Sequence, residues 1–129
     1  MVEELTVDSS IIVSSLLEQE KDHQKALNLW KEVIAGDVTA IMPYTVLVEV
    51  VAAIRRRTGQ KELAQKVKRE LLSMASVNFV VLDPEAAIEA SDIATETGVR
   101  GMDAIVIQTA KDYQTTLISL DAEMIEKAA

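Results

Sequence analysis

The chain has 129 residues, of which 49% are hydrophobic and 26% charged, a composition typical of an ordinary globular domain. Its 21 acidic and 13 basic residues give a net charge of −8, which argues against non-specific coating of nucleic acid. The absence of cysteine excludes disulfides and thiolate metal sites and fits a reducing compartment. The single histidine, His23, lies in a polar run that predicts a solvated position, so any chemistry must rest on carboxylates.

No apolar run approaches the length of a membrane span, and the N-terminal residues 1–4 are acidic on balance. The sequence contains no repeat, low-complexity segment or linker. We therefore expect a cytoplasmic protein that forms one domain over residues 1–129.

Short apolar strands alternate with helices along the chain. In the first half, the spacing of apolar residues predicts strand, helix, helix, strand and helix over residues 5–7, 11–17, 22–34, 39–42 and 43–57. Gly36 and Gly59 provide helix stops, and Pro43 suits a first helical turn.

The second half continues the alternation. Its pattern predicts helix, strand, helix, helix and strand over residues 60–75, 77–82, 84–97, 103–113 and 116–119, with a short helix after Asp121. Such alternation indicates βαβ units with right-handed crossovers. The predicted fold is a three-layer α/β/α sandwich around a central parallel sheet of four or five short strands.

Two acids follow predicted strands at the edge where open parallel sheets bind ligands. Asp8 directly follows the first strand, and Asp121 comes shortly after the last one. Asp103 stands before an apolar helical run. The alternative for each of the three is a helix N-cap, which stabilises a helix by about 1 kcal/mol.

Glu49 interrupts the apolar stretch from Val46 to Ile54, which must be largely buried. A buried carboxylate must pair with a base, bind a cation or become neutral. A salt bridge is therefore the alternative to a role in a site. If Glu49 converges with Asp8, Asp103 and Asp121, their mutual repulsion requires a cation, and Mg²⁺ or Mn²⁺ suits oxygen ligands. Such an ion activates water and stabilises charge on a phosphodiester.

The order of these motifs resembles the PIN-domain ribonucleases, especially the VapC-like toxins of toxin–antitoxin pairs. The resemblance rests on Asp8-Ser-Ser after a strand, Glu49 within a helix, Gly-Met-Asp103-Ala-Ile, and Leu-Ile-Ser119-Leu-Asp121. It implies a metal-dependent endoribonuclease in which the four acids hold the metal and act in catalysis, with Ser119 as an accessory hydroxyl. It also implies an antitoxin partner and a homodimer. Members of the family often finish with another strand, whereas this chain ends in a helical pattern.

RNA binding requires positive charge, and the acidic chain concentrates it locally. We define the basic stripe as the seven basic residues between positions 55 and 69, a segment with one acid: Arg55, Arg56, Arg57, Lys61, Lys66, Lys68 and Arg69. This segment carries a net charge of +6. We predict that Arg55, Arg56, Arg57, Lys61 and Arg100 contact RNA. The alternative is a solvated helix surface.

Other functions compete with this interpretation. A receiver-like phosphoacceptor domain needs paired acids near the first strand and a lysine after the last strand, and the chain lacks both. A haloacid-dehalogenase-like phosphatase needs a second aspartate where this chain has Ser10. The remaining alternatives are a free-standing RNA-processing nuclease and a catalytically silent PIN domain that serves in assembly.

Overall fold

The computed structural model describes residues 3–129, so Met1 and Val2 of the predicted domain lie outside the described residues. It contains four strands: β1 (Glu3–Val7), β2 (Val38–Pro43), β3 (Val77–Val80) and β4 (Thr116–Ile118). The helices of the same residues are α1 (Ser9–Leu16), α2 (His23–Ala35), α3 (Tyr44–Thr58), α4 (Lys61–Ser73), α5 (Pro84–Thr97), α6 (Gly101–Tyr113) and α7 (Ala122–Ala128). None of these helices is both long and apolar enough to cross a membrane.

The strands form one parallel sheet in the order β3-β2-β1-β4, which confirms the predicted fold with four strands within residues 3–129. The chain moves outward from β1 through β2 to β3 and then returns to the other side of β1 as β4. Helix α1 packs on α2 and α3, and α3 packs on α4, whereas α5 packs on α6. The strand order therefore reverses next to β1, the position where parallel sheets bind ligands.

The core lies on both faces of the two central strands. Val7 and Met42 are fully buried, as are Val33 of α2, Val50 of α3 and Val106 of α6. Strands that are covered on both faces need consecutive buried residues, and the last three residues of β1 and the last four of β2 provide them. This rigid centre fixes the carboxyl ends of the strands.

Strand β3 ends at Val80, two residues before the predicted end at Leu82. Val80 pairs with Pro43, the last residue of β2, so β3 has no neighbour to pair with beyond that point. Val81 and Leu82 are consequently exposed. Pro43 was predicted in the first turn of a helix, but it has extended backbone angles of −70° and 153° and instead stands at the N-cap of α3.

His23 is half-buried, which corrects the prediction of a fully solvated position. Its Nδ1 lies 2.7 Å from the carbonyl oxygen of Ser14, to which it donates. This bond ties the start of α2 to the end of α1 and gives His23 a structural role.

Candidate active site

Asp8 stands at the junction of β1 and α1, where the strand order reverses. Asp8 occupies the N-cap position of α1, but its side chain makes no capping hydrogen bond. The side chain is instead directed across the sheet edge, because Oδ2 accepts hydrogen bonds of 2.9 Å from both Ser10 and Ser119. Asp8 is 6% exposed. The N-cap alternative therefore does not explain this side chain.

The two serines connect Asp8 to the segment after β4. Ser10 Oγ accepts from the backbone N–H of Leu120 at 3.1 Å, and Ser119 Oγ accepts from that of Asp121 at 3.0 Å. Each hydroxyl thus donates to the carboxylate and accepts from the backbone. Because all of these bonds use Oδ2 of Asp8, the other carboxylate oxygen is left without a partner within residues 3–129.

Ser119 therefore lies beside the first acid of the candidate site, while Ser10 was not selected as a site residue. The signal for Ser10 was its position two residues after Asp8, which places it in the first turn of α1. A serine at a helix start is common for local reasons. Its contact with a segment 110 positions away was not readable from the sequence.

Glu49 extends from α3 towards the same cleft. Its Oε1 atom is buried and has no hydrogen-bond partner, and Glu49 forms no salt bridge within residues 3–129. Burial raises the pKa of Glu49, and the negative charges of Asp8 and Asp103 raise it further. Arg100 and the hydroxyl of Ser9 oppose this shift. The arrangement disfavours the salt-bridge alternative and leaves a carboxylate whose charge is only partly compensated.

Asp103 lies in the first turn of α6, and its side chain is 14% exposed. The predicted N-cap alternative is wrong for this residue, because α6 begins at Gly101 and its N-cap is Arg100. Burial raises the pKa of Asp103, the guanidinium of Arg100 lowers it, and the charges of Asp8 and Asp121 raise it. Asp103 therefore shares an electrostatic environment with the other site acids.

Asp121 does act as a helix cap. Its Oδ1 accepts a hydrogen bond of 3.2 Å from the backbone N–H of Met124 at the start of α7. Its other oxygen, Oδ2, lies 4.0 Å from Nη2 of Arg100. The local role and a role in the site are compatible, because they use different oxygens of one carboxylate.

The chemistry of this cleft suits a hard divalent cation. It offers several carboxylates, and burial together with the neighbouring negative charges raises the pKa of Glu49 and of Asp103. One of the carboxylate oxygens, Oε1 of Glu49, has no hydrogen-bond partner. Within residues 3–129, however, no three acidic or histidine side chains are close enough to hold one ion as they stand. Asp103 and Asp121 are both drawn to Arg100. The donor types fit Mg²⁺ or Mn²⁺, and the side chains must turn inward to bind it.

The basic stripe does not act as one surface. Arg56, Arg57 and Arg100 line a groove of about 440 Å³ between α1 and α3, and Glu49 lies in its wall. Arg57 also pairs with Glu20. The other stripe residues do not line this groove: Arg55, Lys61, Lys66, Lys68 and Arg69. The structure therefore brings two of the stripe arginines and Arg100 to the acids.

A second groove borders two of the four acids, Glu49 and Asp103. It has a volume of about 570 Å³ and is lined largely by apolar side chains of α5 and α6, among them Ala90 and Ile105. Leu82 and Met102 stand at its exposed rim. Glu49, Asp103 and Arg100 also belong to its wall. Glu49 and Arg100 thus line both grooves, whereas Asp103 lines only the apolar one.

Comparison with solved structures shows the same architecture in three bacterial proteins. VapC20 of Mycobacterium tuberculosis, a toxin that cleaves the sarcin–ricin loop, aligns with a TM-score of 0.79 at 18% identity over 93% of this chain and 92% of its own. VapBC2 of Rickettsia felis, bound to a promoter DNA fragment, aligns with a TM-score of 0.69 at 16% identity over 96% of this chain and 92% of its own. A toxin–antitoxin complex from Klebsiella pneumoniae gives 0.63 at 17% identity over 91% of this chain and 86% of its own.

These TM-scores establish a shared fold. No curated protein sequence matches the chain significantly. The family model of the PIN domain matches residues 5–129, which include all four site acids and both serines. This chain therefore belongs to the PIN domain family.

Proposed function

We propose that this protein is a metal-dependent endoribonuclease that acts in the cytoplasm and cleaves RNA phosphodiester bonds. The observation that carries the proposal is the position of Asp8, Glu49, Asp103 and Asp121 at the reversal of strand order, with one buried oxygen of Glu49 unpartnered. Membership of the PIN family supports it. These four acids would hold Mg²⁺ or Mn²⁺, which when bound supplies a nucleophilic water and neutralises charge on the scissile phosphate.

The protein's own groups have separable tasks in this proposal. The uncharged hydroxyls of Ser10 and Ser119 donate hydrogen bonds to Oδ2 of Asp8, so the second carboxylate oxygen of Asp8 keeps one direction. Glu49 has a raised pKa and one buried carboxylate oxygen, which suits the acceptance of a proton from the attacking water. The apolar groove beside Asp103 gives one side of the cleft a largely apolar wall.

The cationic groove supplies the path for the RNA backbone. Three arginines line this groove: Arg56, Arg57 and Arg100. Arg57 is paired with Glu20, and Arg100 is paired with Asp103. Phosphate contacts need positive charge, whereas the acids alone would repel RNA. We propose that Arg55 and Lys61, which lie outside the groove, contact RNA only where it extends past α3.

The decisive experiment is cleavage of a labelled single-stranded RNA by the purified protein, with and without Mg²⁺ or Mn²⁺. Asp8→Asn, Asp103→Asn and Asp121→Asn remove charge at nearly constant volume, and each should abolish cleavage without unfolding the protein. The matched control is Asp92→Asn on the exposed side of α5, which should cleave normally. Full activity in excess chelator, or in all three site variants, would contradict the proposal. A folded wild type that neither cleaves RNA nor binds metal would favour the silent assembly domain.

We further propose that the protein is the toxin of a toxin–antitoxin pair. Two of the structures that share its fold are toxin–antitoxin assemblies. A basic residue of an antitoxin would pair with the site acids, and this pairing would compete with Mg²⁺. A groove lined by α1, α2 and α4, with exposed Leu16 and Ile34 at its edge, offers an apolar seat for an antitoxin helix.

The test is co-expression with the product of the neighbouring gene, followed by co-purification and cleavage assays across a Mg²⁺ titration. Inhibition should weaken as Mg²⁺ rises. A Leu16→Lys variant should lose the partner while retaining cleavage, because the groove lies apart from the acids. If no neighbouring product binds, a free-standing RNA-processing nuclease becomes the better description.

We also propose a homodimer, supported by apolar residues that remain exposed on α5 and at the rim of the apolar groove. Ile88 is 64% exposed on α5, and Leu82 and Met102 are exposed at the rim of the apolar groove. Large exposed apolar side chains in one region are typical of an interface. Sedimentation analysis should show a dimer for the wild type and a monomer for Ile88→Lys, and a monomeric wild type would refute this assignment.

A further inference from the structure

Arg100 is the one basic residue that pairs with any of the four site acids within residues 3–129. Its Nε donates to Oδ2 of Asp103 at 3.3 Å, and its Nη2 lies 4.0 Å from Oδ2 of Asp121. Its positive charge also lowers the pKa of Glu49. The guanidinium therefore compensates, from within the chain, part of the charge that a metal ion would compensate.

The backbone of Arg100 is fixed while its side chain is free to move. The residue caps α6, and its carbonyl oxygen accepts from the N–H of Ala104 at 2.9 Å. The side chain is 84% exposed, whereas that of Asp103 is 14% exposed. Ion pairs with one fully hydrated partner are weak, because water replaces the lost contact. The guanidinium can leave the acids without breaking any packed contact of α6.

Arg100 also lies at the border of both grooves. It lines the cationic groove together with Arg56, and it lines the apolar groove together with Asp103. A guanidinium that leaves the acids therefore remains at the entrance of the cationic groove. A bidentate donor in that position suits a phosphate group.

We propose that Arg100 is an exchangeable counter-ion that competes with the metal for Asp103 and Asp121 and binds RNA phosphate once it is displaced. The inference rests on the proposed function, because it requires a metal site and an RNA substrate. Metal binding frees the guanidinium for RNA, and RNA draws it away from the acids. Metal and RNA consequently strengthen each other's binding, as reciprocal linkage requires.

The test is a Mn²⁺ titration of the metal-free protein. Binding is monitored by isothermal titration calorimetry or by the electron paramagnetic resonance signal of free Mn²⁺. Arg100→Gln removes the competing charge and should bind Mn²⁺ about fivefold more tightly than the wild type. Arg100→Lys should stay near the wild type. Lys68→Gln removes one charge from the remote helix α4 and should leave the Mn²⁺ affinity unchanged. Circular dichroism checks the fold of each variant.

A second titration adds a six-nucleotide RNA with phosphorothioate linkages, whose integrity is checked afterwards. In the wild type this probe should tighten Mn²⁺ binding, and in Arg100→Gln most of that gain should disappear. Equal or weaker Mn²⁺ binding by Arg100→Gln, or an unchanged gain, would overturn the exchange. Absence of Mn²⁺ binding in the wild type and in every variant would overturn both the proposed metal site and the exchange. If the wild type binds Mn²⁺ but Arg100→Gln does not differ from it as expected, only the exchange is overturned.

Discussion

The hydroxyls of Ser10 and Ser119 hold one oxygen of Asp8 from two sides, and removing either hydroxyl tests whether the site is organised before a ligand binds. Ser10→Ala deletes a 2.9 Å hydrogen bond to Oδ2 of Asp8 and leaves the N–H of Leu120 without its acceptor. Ser119→Ala deletes an equivalent bond and leaves the N–H of Asp121 without its acceptor. Each change therefore removes a donor and an acceptor at once.

A hydrogen bond to a charged group contributes about 1.5–3 kcal/mol to stability. The serines are partly buried, so water recovers a fraction of the loss, and we expect each variant to lose about 2 kcal/mol of unfolding free energy. For a chain of this size that loss lowers Tm by roughly 6–8 °C. Because both serines act on one carboxylate, the double variant should depart from additivity by at least about 0.5 kcal/mol.

Thermal and urea unfolding in chelator measure the stability, and Mn²⁺ titration measures the site. Groups that orient a metal ligand typically change metal affinity about tenfold, so both variants should bind Mn²⁺ that much more weakly. Ser73→Ala is the control, because this exposed serine donates only to the carbonyl of Glu70 within α4. If Ser10→Ala and Ser73→Ala unfold at the same temperature and bind Mn²⁺ equally, the serines do not organise Asp8.

Three further predictions concern Glu49, Asp121 and Arg56. The raised pKa of Glu49 means that the folded state binds its proton more tightly than the unfolded state, so the unfolding free energy falls as pH rises above the ordinary value of 4.5. Glu49→Gln should reduce that slope in metal-free urea titrations, and the remaining slope should come from Asp103, whose pKa is also raised. Destabilisation by several kcal/mol would instead indicate a buried ion pair. In thermal unfolding, Asp121→Ala should lose about 1 kcal/mol more unfolding free energy than Asp121→Asn, because asparagine keeps the cap of α7. Equal losses of unfolding free energy would contradict the capping role. Arg56→Gln should reduce the salt dependence of RNA affinity by about 0.7 in log–log slope, whereas Lys68→Gln should not, and equal slopes would exclude the groove as the RNA path.

The order of elements and the parallel sheet were predictable because local patterns encode them. Glycine residues stop three helices, and Gly36, Gly59 and Gly98 all adopt the left-handed backbone with φ between 71° and 82°. Parallel strands with short connections then leave few topologies, which places residues that follow β1 and β4 at one edge. The positions of Asp8 and Asp121 therefore followed from the sequence.

Features that depend on a distant partner were not predictable. The pattern of Val77–Leu82 is strand-like throughout, but β3 stops where its neighbour β2 stops at Pro43. The start of α6 at Gly101 moved Asp103 from the predicted cap into the first turn. The basic stripe is continuous in sequence, but the turn at Gly59 separates the arginines of α3 from the lysines of α4. A tertiary contact sets the end of β3, whereas the start of α6 and the helix stop at Gly59, which the sequence predicted, are set by the local chain.

The two halves of the candidate site are held by different kinds of group. Asp8 is held by neutral hydroxyls, which restrain its direction without cancelling its charge. Asp103 and one oxygen of Asp121 face the charge of Arg100, which restrains them only while no other cation replaces it, whereas the other oxygen of Asp121 caps α7. A neutral donor does not compete with a metal for the carboxylate, whereas a guanidinium does. Under the proposed function, the fixed carboxylate would define where a cation first binds, and the exchangeable pair would set how much that binding changes the surface presented to RNA.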